Sequence, residues 1–151
     1  MGSEMCIRDR SCAAFNIPLN LIEPLGFKLD DKYLKRAGLD YWPLVTVNKY
    51  ENFEIFLTSK STKRIISFSK KNGSYLKDFK FEQDDILLFG REDSGLPDSI
   101  IKKSDFLISI FMPNLQTRNN DQKGVRSLNL SVACGIAIYE DHKQINFLNG
   151  N

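Results

Sequence analysis

Two short segments of this chain hold residues whose types and order could do chemistry. The first is Ile86-Leu87-Leu88-Phe89-Gly90-Arg91-Glu92-Asp93-Ser94-Gly95-Leu96-Pro97. An apolar run ends in glycine, enters a turn with two carboxylates and a second glycine, and then starts a helix. Open α/β sheets bind ligands at the carboxyl ends of their strands, where glycine lets a ligand come close to the backbone. On that reading Gly90 lies too close to a ligand to carry a side chain. An ordinary strand-to-helix turn explains the same spacing, and the residues alone leave the two readings about even. The second segment is Gly124-Val125-Arg126-Ser127-Leu128-Asn129-Leu130-Ser131, where a polar loop feeds a helix. Arg126, Ser127 and Asn129 occupy its first turn, and the small residues Ser131, Ala133, Cys134, Gly135 and Ala137 follow. Free N–H groups and the positive end of the helix dipole suit a carboxylate or phosphate. Capping by Ser127 with tight packing of the next turns accounts for this segment slightly better.

Other chemistries find little to work with. His142 is the single histidine, so a Ser-His-Asp triad or a His-rich metal site has no basis. A surface histidine near a helix C-terminus is its plain reading. Gly90 to Gly95 has the glycine spacing of a phosphate loop, but Leu96-Pro97 stand where Lys-Ser/Thr is required. No G-x-G-x-x-G follows a strand. These patterns argue against nucleotide hydrolysis and dinucleotide binding, and no metal is expected.

The elements that must position these residues alternate between short apolar strands and helices. Strands are expected at Pro18–Glu23, Leu44–Val47, Arg64–Phe68, Asp85–Phe89 and Phe106–Ile110. Helices are expected at Asp30–Gly38, Glu51–Thr58, Leu96–Lys103 with Pro97 in its first turn, and Ser127 to about Lys143. A polar loop fills Phe111–Val125. Near-continuous apolar strands separated by helices imply an α/β fold with a mostly parallel sheet covered on both faces.

The 151 residues, 42% apolar and 26% charged, fit one soluble domain with an ordinary core. The longest apolar stretch, Val132–Tyr139, is far too short to span a bilayer, and no secretory signal is visible. Three cysteines, Cys6, Cys12 and Cys134, without a CxxC pair read as reduced packing residues in a cytoplasmic protein. Charge is unevenly spread: Lys28–Lys80 holds twelve basic and six acidic residues, a local +6, against −4 for the remainder. That asymmetry permits a polyanion footprint, and a merely solvated basic face explains it about as well. Within it, Lys32, Lys35 and Arg36 share one face of a short helix.

Five blocks, in order, resemble one family. Leu21-Ile22-Glu23-Pro24-Leu25-Gly26-Phe27, Asp30-Asp31-Lys32, Arg36-Ala37-Gly38-Leu39-Asp40-Tyr41, Phe89-Gly90-x-Glu92-x-x-Gly95-Leu96-Pro97 and Arg126-Ser127-Leu128-Asn129-Leu130-Ser131 look like the tRNA 2′-O-methyltransferases of the SPOUT superfamily. The nearest branch is the small, single-domain one acting on the wobble nucleotide, cytidine or uridine 34. The resemblance covers about Arg10 to Gln144. It implies a C-terminal deep trefoil knot, S-adenosyl-L-methionine as cofactor, tRNA as substrate and a homodimer through the last helix, using the small face of Ser131–Ala137. Carried over residue by residue, the cofactor would be held by Phe68, Gly90, Glu92, Gly95, Ile110, Met112, Ser127 and Leu128. Arg10, Glu92, Ser127 and Asn129 would serve catalysis, and Lys32, Lys35, Arg36 and Arg126 would bind RNA. A guanidinium that does not readily deprotonate is better cast as a clamp for phosphate and alkoxide charge than as a base.

The N-terminus departs from the family. Glu4 and Cys6 stand where an Asn-x-Gly-Asn-x-x-Arg motif should carry Asn and Gly, and Met5–Arg10 looks like translated sequencing adapter. Residues 1–10 are accordingly read as a foreign leader, and 11–151 as the methyltransferase domain lacking its first strand. Phe111 stands where the family resemblance implies a proline beside the cofactor, and Asn114–Lys123 makes a longer loop than in compact members. Two other readings stay open: a knotted RNA- or cofactor-binding module without turnover, and an rRNA 2′-O-methyltransferase.

Overall fold

The computed structural model describes residues 10–24, 42–60, 63–113 and 127–148. The helix expected over Asp30–Gly38, with Lys32, Lys35 and Arg36, lies outside the described residues, as do Arg126 and most of the 111–125 loop. The chain divides into two compact units, Met1–Lys63 and Arg64–Asn151.

In the first unit residues 10–14 are helical. Strands β1 (Leu19–Ile22) and β2 (Val47–Tyr50) pair in parallel, with Leu19 opposite Val47 and Ile22 opposite Tyr50. The strand expected at Leu44–Val47 therefore starts three residues late, and Trp42–Leu44 forms a 3-10 turn instead. Pro43 has a fixed φ and no N–H to give a ladder, which favours the turn, and Leu44 is exposed. Helix α1 (Phe53–Ser59) follows, two residues later than expected. Asn52 caps it, its side chain accepting the Ile55 N–H at 2.9 Å. The helix buries Phe53 and Phe56, and Tyr50 meets Phe56 edge-on at 5.2 Å between ring centroids.

The second unit holds a four-stranded sheet in the order β4-β6-β3-β5, every pair parallel. Its strands are β3 (Ile65–Phe68), β4 (Ser74–Tyr75), β5 (Ile86–Phe89) and β6 (Phe106–Ser109). All four residues of β3 are buried, as a strand covered on both faces requires. Ile66, Phe68, Leu76, Phe81, Ile108 and Ala137 form the core. β4 has no apolar signature; it exists because Gly73 packs directly on β6. A Cβ on Gly73 would lie 2.7 Å from the Ile108 carbonyl carbon and 2.8 Å from the Leu107 oxygen. Helix α2 shrinks to Asp98–Ile101, because Pro97 stays extended (φ −60°, ψ 144°) as its N-cap rather than entering the first turn.

Helix α3 (Leu130–Lys143) runs on into a π-helical turn, Gln144–Leu148. It begins three residues later than expected, and Asn129, not Ser127, caps it. The Asn129 Oδ1 accepts the N–H groups of Ser131 at 2.8 Å and Val132 at 3.3 Å. At the far end the Gln144 amide donates to the Phe79 carbonyl at 3.0 Å and accepts the Phe81 N–H at 2.9 Å, so the side chain satisfies the 79–81 backbone as a neighbouring strand would. Ser131, Cys134, Ala137 and Ile138 are buried, so the small face expected at a dimer interface is used inside the chain. The opposite face leaves Val132, Ile136 and Tyr139 exposed at 49%, 38% and 58%.

The amino-terminal edge of this sheet is locked by Arg64. Its Nε and Nη2 donate to the two Asp85 oxygens at 2.8 and 2.6 Å, and Nη1 donates to Glu82 at 2.7 Å. The guanidinium also lies over the rings of Phe79 and Phe106, 5.7 and 5.1 Å from their centroids. Nearby, burial first and the Asp85 charge second push the half-buried Asp141 carboxyl up to about 6, with His142 opposing. The fold thus favours protonated Asp141. The cost of its charge is absent below its ordinary value of 3.8 and complete above about 6. Partial solvent exposure reduces that cost to about 1 kcal/mol. Asp141→Asn is expected to raise the melting temperature by about 3 °C at pH 8 and leave it unchanged at pH 4; a gain of equal size at both pH values would contradict this account.

Candidate active site

Parallel register brings three loops to one edge of the second unit's sheet. Phe68 pairs with Phe89 across β3 and β5 and with Ile108 across β3 and β6, so the three strands end side by side. The segments that leave this carboxyl edge are 69–73, 90–97 and 110–113. Phe68, Gly90, Glu92, Gly95, Ile110 and Met112 all stand on these strand ends or loops. The rings of Phe68 and Phe89 stack at 4.6 Å beneath them. Ser127, Leu128 and Asn129 lead into α3. Arg10 is exposed at the start of the helical stretch 10–14 in the other unit.

The 90–97 loop closes on itself. Gly95 donates to the Arg91 carbonyl at 2.8 Å, and Arg91 donates back to the Gly95 carbonyl at 3.3 Å. Gly95 has φ +72°, a left-handed conformation that glycine adopts without cost, and a Cβ there would meet nothing. Gly90 is the reverse case. A Cβ on Gly90 would fall inside contact distance of the Gly95 carbonyl carbon and the Leu96 nitrogen, and 2.5 Å from the Gly95 oxygen. Gly90 is therefore required by the loop's own backbone, which corrects the expectation that a ligand alone excludes its side chain.

Side chains hold the same turn from outside. Arg91 grips Asp93 through two hydrogen bonds of 3.0 and 2.8 Å, and the Ser94 hydroxyl adds a third at 3.0 Å. These bonds hold the Asp93 carboxyl down at about 2. The sequence singled out Glu92 as the working carboxylate and missed this Arg91–Asp93 clasp, whose signal is an opposite-charge pair two residues apart in a turn. Glu92 stands exposed at the tip.

Between the 69–73 and 110–113 loops lies an open cavity of about 270 Å³, its lining including Lys70, Lys71, Gly73, Tyr75, Ile110 and Met112. The Ser109 hydroxyl accepts the Gly73 N–H at 3.2 Å and pins the loop to the end of β6. Ile110 and Met112 are only partly buried, so the apolar wall is open to a flat, apolar ligand group such as a nucleobase. The Ile110 and Met112 side of this cavity suits the nucleoside half of S-adenosylmethionine, and the self-closed glycine loop lies outside the cavity's lining. Sequence reading missed Lys70, Lys71, Gly73 and Tyr75. The signal available was an Asn-Gly turn immediately after an apolar strand. Among the described residues no group of three or more His, Cys, Asp or Glu could hold a metal ion, and no helix is long and apolar enough to cross a membrane.

Comparison with known proteins bears on the family of the chain. The SpoU rRNA Methylase family model matches residues 8–139. A tRNA (cytidine(34)-2'-O)-methyltransferase from Aeromonas hydrophila is 38% identical over 138 residues, 91% of this chain and 84% of that one. A solved structure described as giving insight into 2-OH methylation of C/U34 on tRNA superposes with a TM-score of 0.83 at 38% identity, covering 100% of this chain and 91% of that one. A SpoU methyltransferase from Streptomyces viridochromogenes in complex with AdoMet shares the fold, with a TM-score of 0.75 at 19% identity over 99% of this chain and 58% of that one.

Proposed function

The chain belongs to the SpoU rRNA Methylase family, and from that premise we propose that it is a tRNA ribose 2′-O-methyltransferase acting on nucleotide 34 with S-adenosylmethionine as methyl donor. The observation that carries the reading is the convergence of the 69–73, 90–97 and 110–113 loops on one parallel sheet edge, with a cavity between the first and the third of them. The cofactor, when bound, supplies an electrophilic methyl group on a sulfonium.

The chain's residues would divide the remaining work. Ile110 and Met112 hold the adenosine, and Phe68, whose side chain is buried in the core, serves by ending the strand that leads into the site, while Gly90 and Gly95 give the loop the shape that receives the rest. Ser127 and Leu128 complete the wall from the start of α3. A ribose hydroxyl is a weak nucleophile, so alignment and handling of developing negative charge dominate the barrier. Glu92 and Ser127 orient the ribose and its proton. Arg10 clamps phosphate and alkoxide charge without acting as a base. Asn129 spends its Oδ1 on capping α3, so its part is to fix the helix start that carries Ser127 and Leu128. Lys32, Lys35, Arg36 and Arg126 extend the RNA contacts.

The reading also includes a C-terminal trefoil knot, a cytoplasmic location and a homodimer. The exposed apolar stripe of Val132, Ile136 and Tyr139 supports the dimer: a helix apolar on all sides needs a cover.

The test is incubation of the purified chain with bulk tRNA and a radiolabelled donor, followed by nuclease mapping, with sedimentation of the same sample. Label at position 34 and a dimer are expected. Cofactor binding without incorporation would make the chain a binding module, and label in rRNA alone would move the substrate.

A further inference from the structure

We propose that Lys70, Lys71, Tyr75 and Phe111 form a contact site for the substrate RNA strand, the lysines on phosphate and the aromatic pair against a nucleobase; this rests on the methyltransferase reading above. All four side chains are exposed, and they cluster on the 69–75 and 110–113 segments beside the cavity. Tyr75 and Phe111 meet edge-on, 5.4 Å between centroids at 88°, with 36% and 49% of their surfaces open. Such a pair offers a rigid flat face that costs little entropy to use, and every base has a face to stack on it. Among the described residues neither Lys70 nor Lys71 has an ion-pair partner. In the same unit Arg64 is committed to Asp85 and Glu82, Arg91 to Asp93 and Lys143 to Glu140.

Charge decides between the two possible owners of these lysines. S-adenosylmethionine carries a sulfonium, an ammonium and one carboxylate, a net positive charge. Lys70 and Lys71, exposed residues of the cavity lining, disfavour the charged methionine end of that ligand beside them, leave its neutral nucleoside half unaffected, and favour a phosphodiester chain.

The experiment compares Lys70→Ala/Lys71→Ala, Phe111→Leu and a control, Lys102→Ala/Lys103→Ala, which removes equal charge from exposed positions at the end of α2. Transfer-RNA affinity is measured across a salt series, and cofactor affinity by calorimetry. The first variant is expected to lose at least tenfold in tRNA affinity and to flatten the log–log salt slope by about 1.5, as loss of two phosphate contacts requires. Phe111→Leu is expected to lose about fivefold or more with the slope unchanged. Cofactor affinity should stay within twofold in both. An equal loss in the control would show general charge attraction and overturn the site. So would weakened cofactor binding with unchanged tRNA affinity, which would give the lysines to the cofactor. A wild-type chain that methylates tRNA while the variants bind it normally refutes this site alone; a wild-type chain that transfers no methyl group refutes the underlying reading.

Discussion

Replacing Arg64 with methionine is expected to cost about 3 kcal/mol of stability and lower the melting temperature by about 9 °C. The side chain of its partner Asp85 is only 1% exposed, and Arg64 meets both carboxylate oxygens at once. Methionine fills much of the same volume but leaves a carboxylate inside the fold without its charge partner, and breaking such a pair costs far more than the pair itself contributes. Glu82 adds little, since it is 68% exposed and its attraction is screened. Arg64 retains 26% exposure, which holds the cost at the lower end of the range for buried pairs. The check is a double-mutant cycle by thermal melt. Arg64→Met combined with Asp85→Leu should lose less than the two single variants added together. A single variant melting within 2 °C of the parent would mean that water reaches Asp85 and that the clamp is decorative. Because Arg64 stands at the edge of the sheet away from the three loops, cofactor binding by the folded fraction should be unaffected.

Much of this fold is legible in local residue order, and what is not has identifiable causes. Ile65-Ile66-Ser67-Phe68 and Ile86-Leu87-Leu88-Phe89 read as buried strands because a parallel strand covered on both faces has no polar alternation to disguise it. Helix starts were harder. Ser127 and Asn129 are both good capping residues, and the choice falls to whichever side chain reaches the N–H groups of the first turn; Asn129 does. β4 was invisible because Ser74-Tyr75 carries no strand signal and pairs only through the close approach of Gly73 to β6, a contact thirty-five positions away in the chain. The small face of α3 was legible as close-packing but not as to its partner: the chain's own core takes it, and the apolar face left outside is Val132, Ile136 and Tyr139. At the candidate site the family resemblance names Gly90, Glu92, Gly95 and Ile110, and the structure puts all four on strand ends and loops of one sheet edge. Lys70 and Lys71 escaped notice because a charged pair in a turn looks like any solvated surface until a cavity is seen beside it.

The largest expected effect on function is at Gly90. Gly90→Ala should lower cofactor affinity by at least about a hundredfold, roughly 2.7 kcal/mol, while the protein stays folded. The added methyl group cannot be placed against the Gly95 carbonyl and the Leu96 nitrogen, so the turn must open and the Arg91–Gly95 pairing must break. That pairing is confined to the loop, and the core behind it does not depend on it, so melting should fall less than for Arg64→Met. Gly95→Ala is the informative companion. It meets no atom, and its only penalty is the left-handed φ of +72°, worth about 1–2 kcal/mol; its affinity loss should therefore be about tenfold and recoverable at high cofactor concentration. A ligand-contact role for Gly90 makes a different prediction from a loop-closing one. If only the ligand excludes the side chain, the Gly90→Ala loop keeps its wild-type hydrogen-exchange protection at Gly95 in the cofactor-free protein. If the loop's own backbone excludes it, protection of the Gly95 amide, which donates to Arg91 at 2.8 Å, falls before any ligand is added. Unchanged protection together with affinity within threefold of the parent would show that neither the ligand nor the loop requires glycine at position 90.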